Sequence, residues 1–237
     1  VVDAKTDLPN RVARYLLGNQ FPFSVFPPFF HAGFPTSFST FLTEFSSVEE
    51  KLNIPNNLKI CVMADLSDFK NYEYYKKINK IFTKTESKKI KLIRLACNYQ
   101  DREMLKKIVP RLKKNNFHVA VNLMKFTILK NHEIINFFKI CKKLRVKIMY
   151  LADSFGNCDP EKLNHITKNI KKNFDIKEFG LHAHNNLSQA LENAKTALKL
   201  GFKFIDTSVT GMGRGAGNLK LEEFLDTVRS MPQAKNE

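Results

Sequence analysis

The sequence predicts an α/β protein built as a TIM (β/α)8 barrel whose first two strands are atypical or incomplete. Three observations carry that reading. Six short, largely apolar runs alternate with amphipathic helix patterns from residue 58 onward. The chain has 237 residues, close to the about 250 of a typical barrel. The polar residues of the runs gather at their C-terminal ends, the face on which barrel enzymes carry their sites.

The runs are Lys59-Ile-Cys-Val-Met63, Lys91-Leu-Ile-Arg-Leu-Ala96, His118-Val-Ala-Val-Asn-Leu123, Lys147-Ile-Met-Tyr-Leu-Ala152, Glu178-Phe-Gly-Leu-His182 and Phe202-Lys-Phe-Ile-Asp206. They are short and apolar on both alternating faces, as strands buried on both sides are. Between them, Ile134, Phe137, Phe138 and Cys141 follow the i, i+3, i+4, i+7 spacing of a helix face. Leu163, Ile166 and Ile170 repeat it after Asp159 as N-cap and Pro160 at the first helical position. Ala190, Leu191, Ala194, Ala197 and Leu198 line a third helix that stops at Gly201. Pro110 interrupts the helix expected from Met104 to Leu112 and should kink it. Tandem strand–helix repeats mean a parallel sheet with right-handed crossovers. The repeat alone fits an open doubly wound sheet as well as a closed barrel. Closure needs two further strands from residues 1–46 and a last helix from Leu221 to Arg229.

Residues 1–46 differ from residues 47–237, which hold repeats 3 to 8 of the expected barrel. The first segment has one lysine, Lys5, and is crowded with Phe and Pro, as in Phe21-Pro-Phe-Ser-Val-Phe-Pro-Pro-Phe-Phe30. Pro22, Pro27 and Pro28 cannot sit inside a central strand or a helix. Asn10 to Leu17 fits a short helix with Leu16 and Leu17 inward, and Val1-Val2-Asp3 fits a strand start.

Composition narrows the function classes. No run of about 18 apolar residues is present, so no membrane span is expected. The first residues show no basic-then-apolar pattern with a small-residue cleavage site, so no signal peptide is expected. The four cysteines are scattered without a Cys-x-x-Cys, which fits reduced thiols in the cytoplasm. A net charge of +16 invites a nucleic-acid reading. However, the lysines fall in helix patterns such as Lys106-Lys107, Lys113-Lys114 and Lys171-Lys172, without interleaved aromatics. That arrangement is a solvated helix face, so nucleic acid is not the expected partner.

The sharpest motif is His182-Ala-His184-Asn185-Asn186 at the end of a strand. Strand side chains alternate, so His182 and His184 share a face. Two imidazoles with oxygen donors nearby and open positions suit Mn²⁺, Mg²⁺, Fe²⁺ or Zn²⁺, and a functional site needs at least one carboxylate more. Gly211-Met-Gly213-Arg214-Gly215-Ala216-Gly217 has the look of a dinucleotide fingerprint, but it lies at the end of the chain. The fingerprint belongs in a first βαβ unit with an acidic residue about 20 positions on. A loop over the site with Asn218 facing the metal fits better. Asp153-Ser154-Phe-Gly156 closes a strand: Ser154 offers a hydroxyl to substrate, while Asp153 orients neighbouring groups or caps the next helix. Arg94 sits in an apolar strand and needs a partner. It is either one half of a barrel-interior ion pair, with Asp65, Asp153 or Asp206, or a clamp for a substrate carboxylate.

Three stretches together resemble a known family. Tyr150-Leu-Ala-Asp-Ser-Phe-Gly156, Gly180-Leu-His-Ala-His-Asn-Asn186 and Asp206-Thr-Ser-Val-Thr-Gly-Met-Gly-Arg-Gly-Ala-Gly-Asn218 are similar to the barrel metallolyases that include HMG-CoA lyase, isopropylmalate synthase and 4-hydroxy-2-oxovalerate aldolase (the DRE-TIM type). The likeness is greatest to the aldolase-type members and runs in order over roughly residues 58–230. It implies a TIM barrel, a divalent metal (Mn²⁺ or Mg²⁺, with Zn²⁺ as an alternative), and the making or breaking of a carbon–carbon bond beside the carbonyl of a 2-oxo acid such as pyruvate. By the same resemblance His182 and His184 are metal ligands and Asn218 matches a ligand of the lyase branch. The family's first strand carries Asp-x-Thr-Leu-Arg-Asp-Gly. Here Val1-Val2-Asp3-Ala-Lys-Thr-Asp7-Leu-Pro has no Arg-Asp-Gly, so Asp7 is the nearest substitute ligand, and Lys5 or Arg11 would replace the charge only from a shifted position.

The resulting expectation is a metal-dependent aldolase or lyase acting on a 2-oxo acid and an aldehyde, alone, as a homo-oligomer or beside a partner enzyme. Two alternatives stay open: a catalytically degenerate barrel serving as a binding or assembly subunit, and a Claisen-type acyltransferase of the isopropylmalate synthase branch. The general base is unassigned, since His31, His118, His132 and His165 lie in no recognised motif.

Overall fold

The structure is a computed structural model, and it describes residues 14–17, 23–25, 59–70, 72–84 and 90–230. Eight strands form a closed ring in the order β1-β2-β8-β7-β6-β5-β4-β3. They are β1 Arg14–Leu17, β2 Phe23–Val25, β3 Lys59–Asp65, β4 Ile90–Cys97, β5 His118–Met124, β6 Ile148–Asp153, β7 Phe179–Ala183 and β8 Phe204–Thr207. Strands β3 to β8 run parallel, each beside the next. The helices are α1 Tyr72–Ile81, α2 Leu105–Lys114, α3 Asn131–Lys143, α4 Pro160–Lys171, α5 Ala190–Lys199 and α6 Leu221–Ser230. The chain therefore has the TIM-barrel architecture with its first two strands atypical.

The atypical part is specific. Strand β2 pairs parallel with β8, but β1 runs antiparallel to both β2 and β3. Arg14–Leu17 is thus a strand and not part of a helix, which corrects the helical expectation for Asn10 to Leu17. The physical reason is ring closure. Without a strand there, β2 and β3 would each present an unpaired edge. The expected strand at Val1-Val2-Asp3 lies outside the described residues.

The strand faces separate by alternation. On β4, Ile93, Leu95 and Cys97 join the core between sheet and helices, whereas Leu92 packs inside the ring with Cys61, Ala120, Ile148, Tyr150 and Phe204. This inner cluster plugs the lower barrel. The outer core is held by edge-on phenylalanines, with Phe138 and Phe179 at 4.9 Å between ring centroids and Phe179 and Phe202 at 6.3 Å; such pairs add about 0.5–1.5 kcal/mol each beyond burial. Helix α4 starts as its sequence directs: the Asp159 carboxylate accepts from the Lys162 backbone N–H at 2.7 Å with Pro160 behind it, a cap worth about 1 kcal/mol. Helix α2 runs through Pro110 as one element, preceded by a 3-10 turn over Tyr99–Met104. Among the described residues no helix is long and apolar enough to cross a membrane.

Candidate metal centre and its supporting layer

Above the apolar plug lies a polar layer contributed by five consecutive strands. Its centre is Asp206 on β8, only 2% exposed. Arg94 on β4 meets it edge-on, donating from Nη1 to Oδ1 at 2.9 Å and from Nη2 to Oδ2 at 2.5 Å. The Arg94 Nε donates to Oδ1 of Asn122 on β5. The guanidinium lies 3.5 Å from the ring centroid of Tyr150 on β6. Beneath that ring is Gly180 on β7, where any Cβ would fall well inside contact distance of the Tyr150 ring. A glycine is therefore required here for space.

The layer reaches the histidines at Asp206. His182 Nδ1 lies 2.9 Å from Asp206 Oδ2. The His182 and His184 rings are 5.2 Å apart between centroids and nearly perpendicular. Their shared face follows from strand alternation, as the sequence indicated. Burial opposes ionisation of Asp206, but the Arg94 charge and the bonds from His182 and Arg94 outweigh it and hold the carboxyl below its ordinary range. Burial and the neighbouring His182 push the His184 ring down to about 4, so it is neutral near pH 7, the form that ligates metals.

The glycine-rich loop closes over this point. Residues 184 and 218 form an isolated antiparallel bridge. The Asn185 N–H donates to the Gly217 carbonyl at 2.9 Å, and the Asn218 N–H to the Gly211 carbonyl at 2.8 Å. Gly217 takes φ +88° and Gly211 φ +72°, the left-handed region that suits glycine. The Asn218 amide donates to the Met212 carbonyl at 2.8 Å, while its Oδ1 is buried without a hydrogen-bond partner. A buried carbonyl oxygen left unpaired costs about 1–3 kcal/mol, a cost that coordination to a cation would offset. His182, His184 and Asn218 thus fit a divalent cation as an N, N, O set with open positions. Among the described residues no group of three or more His, Cys, Asp or Glu side chains is placed to hold a metal ion. Asp7, the expected carboxylate ligand, lies outside the described residues, as do Lys5, Arg11 and His31.

The other expected residues fall as follows. Asp153 accepts from the backbone N–H groups of Asn157 and Cys158 at 3.2 and 3.0 Å, so it shapes the loop after β6. Ser154 Oγ accepts from the Lys125 backbone N–H at 3.0 Å, tying the loops after β5 and β6 together. Asp65 caps its own turn through Ser67. His118 starts β5 at the end away from the histidines, and His165 on α4 contacts Asn131. None of the four cysteines is in a disulfide, and burial pushes the Cys158 thiol up to about 12, which removes it as a nucleophile. Asn122, Tyr150 and Gly180 carry parts that motif reading left unassigned. The signal for them was strand alternation: Leu92 and Arg94, Ala120 and Asn122, Ile148 and Tyr150 share the inner face.

The HMGL-like family model matches residues 32–235. The chain is 28% identical over 130 residues to an oxaloacetate decarboxylase of Mycobacterium tuberculosis, covering 55% of this chain and 38% of that protein. It is 28% identical over 133 residues to a 4-hydroxy-2-oxovalerate aldolase of Geobacillus thermodenitrificans, covering 56% and 39%. The chain thus spans about two fifths of the length of these curated relatives. The N-terminal domain of a putative aldolase from Bacteroides vulgatus superposes with a TM-score of 0.61 at 29% identity, over 78% of this chain and 60% of that one.

Proposed function

Because the chain belongs to the HMGL-like family, we propose that it is a divalent-metal-dependent carbon–carbon lyase or aldolase acting on a 2-oxo acid. The observation that carries this is the pair His182 and His184 with Asn218, bridged to His184 through the backbone and carrying a buried, unpartnered Oδ1. The names of the relatives, an aldolase and a decarboxylase, support bond cleavage beside a carbonyl. His182, His184 and Asn218 would hold the cation, joined by Asp7 as the proposed carboxylate ligand. When bound, the ion supplies Lewis-acid polarisation of the substrate's carbonyl.

The chain's own residues supply the rest. Near pH 7 His184 is neutral and Asp206 is ionised. The barrel plug of Cys61, Leu92, Ala120, Ile148 and Tyr150 excludes water from below, which strengthens polar interactions above it. Ser154 remains a proposed substrate contact at the mouth, whereas Arg94, expected either as one half of an ion pair or as a carboxylate clamp, has its fork laid on Asp206. Ile128, Phe155, Leu187, Val209 and Met212 are exposed on the loops after β5 to β8, giving the mouth an apolar rim.

The test is pyruvate release from a 4-hydroxy-2-oxo acid with added Mn²⁺. Turnover that is lost on chelation supports the reading; none in any divalent ion contradicts it. The antiparallel β1 favours a second reading, a barrel that binds or assembles without catalysis. Turnover by the chain alone would rule that out.

A further inference from the structure

We infer that Arg94 is a positioning residue that acts through Asp206 to fix His182 as its Nδ1–H tautomer, which places the ring's lone pair on Nε2. The argument starts from donor and acceptor inventories. A guanidinium has only donors and an ionised carboxylate only acceptors. Arg94 presents Nη1 and Nη2 to the two oxygens of Asp206 in a fork, the geometry of an ionised pair. Oδ2 also faces His182 Nδ1 at 2.9 Å. With an acceptor-only oxygen on one side of that contact, the proton belongs to Nδ1.

The fork is itself held on every side. Asn122 takes Nε, Tyr150 lies under the guanidinium plane, and Gly180 makes room for the Tyr150 ring. Five strands therefore converge to orient one imidazole. The paired edge of Arg94 that would grip a substrate carboxylate is the edge laid on Asp206. This makes Arg94 an orienting group for His182, in the manner of outer partners that set a ligand's tautomer and basicity.

The tautomer stands on this geometry alone; its consequence for cation binding rests on the reading proposed above. Long-range ¹H–¹⁵N NMR of the metal-free chain reads the tautomer directly, with His182→Gln to assign the signal. The expected result is Nδ1–H in the unaltered chain. Asp206→Ala removes the acceptor that faces His182 Nδ1, and the ring should then populate Nε2–H, the tautomer a free imidazole side chain favours in water. The same substitution should weaken Mn²⁺ binding by about 10–100-fold. Arg94→Lys, which keeps the charge but not the fork, should give a mixture of tautomers. An Nε2–H ring in the unaltered chain overturns the inference, and so does a tautomer unmoved by Asp206→Ala. If the ring is Nδ1–H but no Mn²⁺ binds, the relay stands and the metal-dependent reading fails.

Discussion

Arg94 and Asp206, 112 residues apart in sequence, meet inside the barrel as a two-point ion pair at 2.9 and 2.5 Å. Both side chains are almost fully buried. A buried charge is tolerated only while its partner stays, so each residue depends on the other. Arg94→Leu should lower stability by about 3–5 kcal/mol, because Asp206 is left uncompensated. Arg94→Leu with Asp206→Leu should cost clearly less than the sum of the two single changes. Urea denaturation of the four proteins measures the coupling, and simple additivity would show that the pair is not coupled.

Gly180 and Tyr150 set a packing prediction. A methyl group at position 180 would strike the Tyr150 ring, which is pinned between Gly180 and the Arg94 guanidinium. Gly180→Ala should destabilise by about 1–3 kcal/mol through overpacking. Gly180→Ala combined with Tyr150→Leu should recover part of that loss in the same denaturation assay.

Gly213 makes a similar prediction for the site. A Cβ there would lie 2.6 Å from the Asn218 amide nitrogen. Gly213→Ala should therefore displace Asn218 and reduce Mn²⁺ affinity by roughly tenfold or more, in line with disturbed ligand support. Calorimetric titration reads this, and unchanged affinity would remove Asn218 from the donor set.

Two groups should pull stability in opposite directions as pH falls. The His184 ring drops from its ordinary 6.5 to about 4, through burial and then the nearby His182. The unfolded chain then binds the proton first, so this contribution is complete above about pH 6.5 and is lost as pH falls toward 4. Asp68 is raised from 3.8 to about 6 by burial and then by Asp65. Its contribution is complete below about pH 3.8 and is lost as pH rises through 6. In metal-free protein, Asp68→Asn should steepen the loss of stability between pH 6.5 and 4, and His184→Gln should flatten or reverse it. Urea midpoints across that range decide the signs.

Much of this fold was legible in the sequence, because strands buried on both faces are apolar runs and helices are periodic. The six runs from Lys59 to Asp206 match β3 to β8 with ends shifted by one or two residues. His182 and His184 were legible because a two-residue spacing fixes a shared face. The bridge that brings Asn218 to His184 follows from the glycine-rich loop before it. Arg94 announced that it needed a partner, but only closing the barrel selects Asp206 over Asp65 and Asp153, since those turn to their own loops. Strand β1 was not legible. Four residues carry too little periodicity, and their direction is imposed by neighbours far along the chain. The support given by Tyr150 and Gly180 was hidden for the same reason: a ring on one strand and a missing side chain on the next acquire meaning only across the pairing of β6 with β7.

The most direct test of the central claim is a Mn²⁺ titration of the purified, chelator-treated chain beside His182→Ala, His184→Ala and the double variant. The account predicts one ion bound per chain, weakened in each single variant and abolished in the double. A chain that binds no divalent ion, or a double variant that binds as tightly as the unaltered protein, would contradict it.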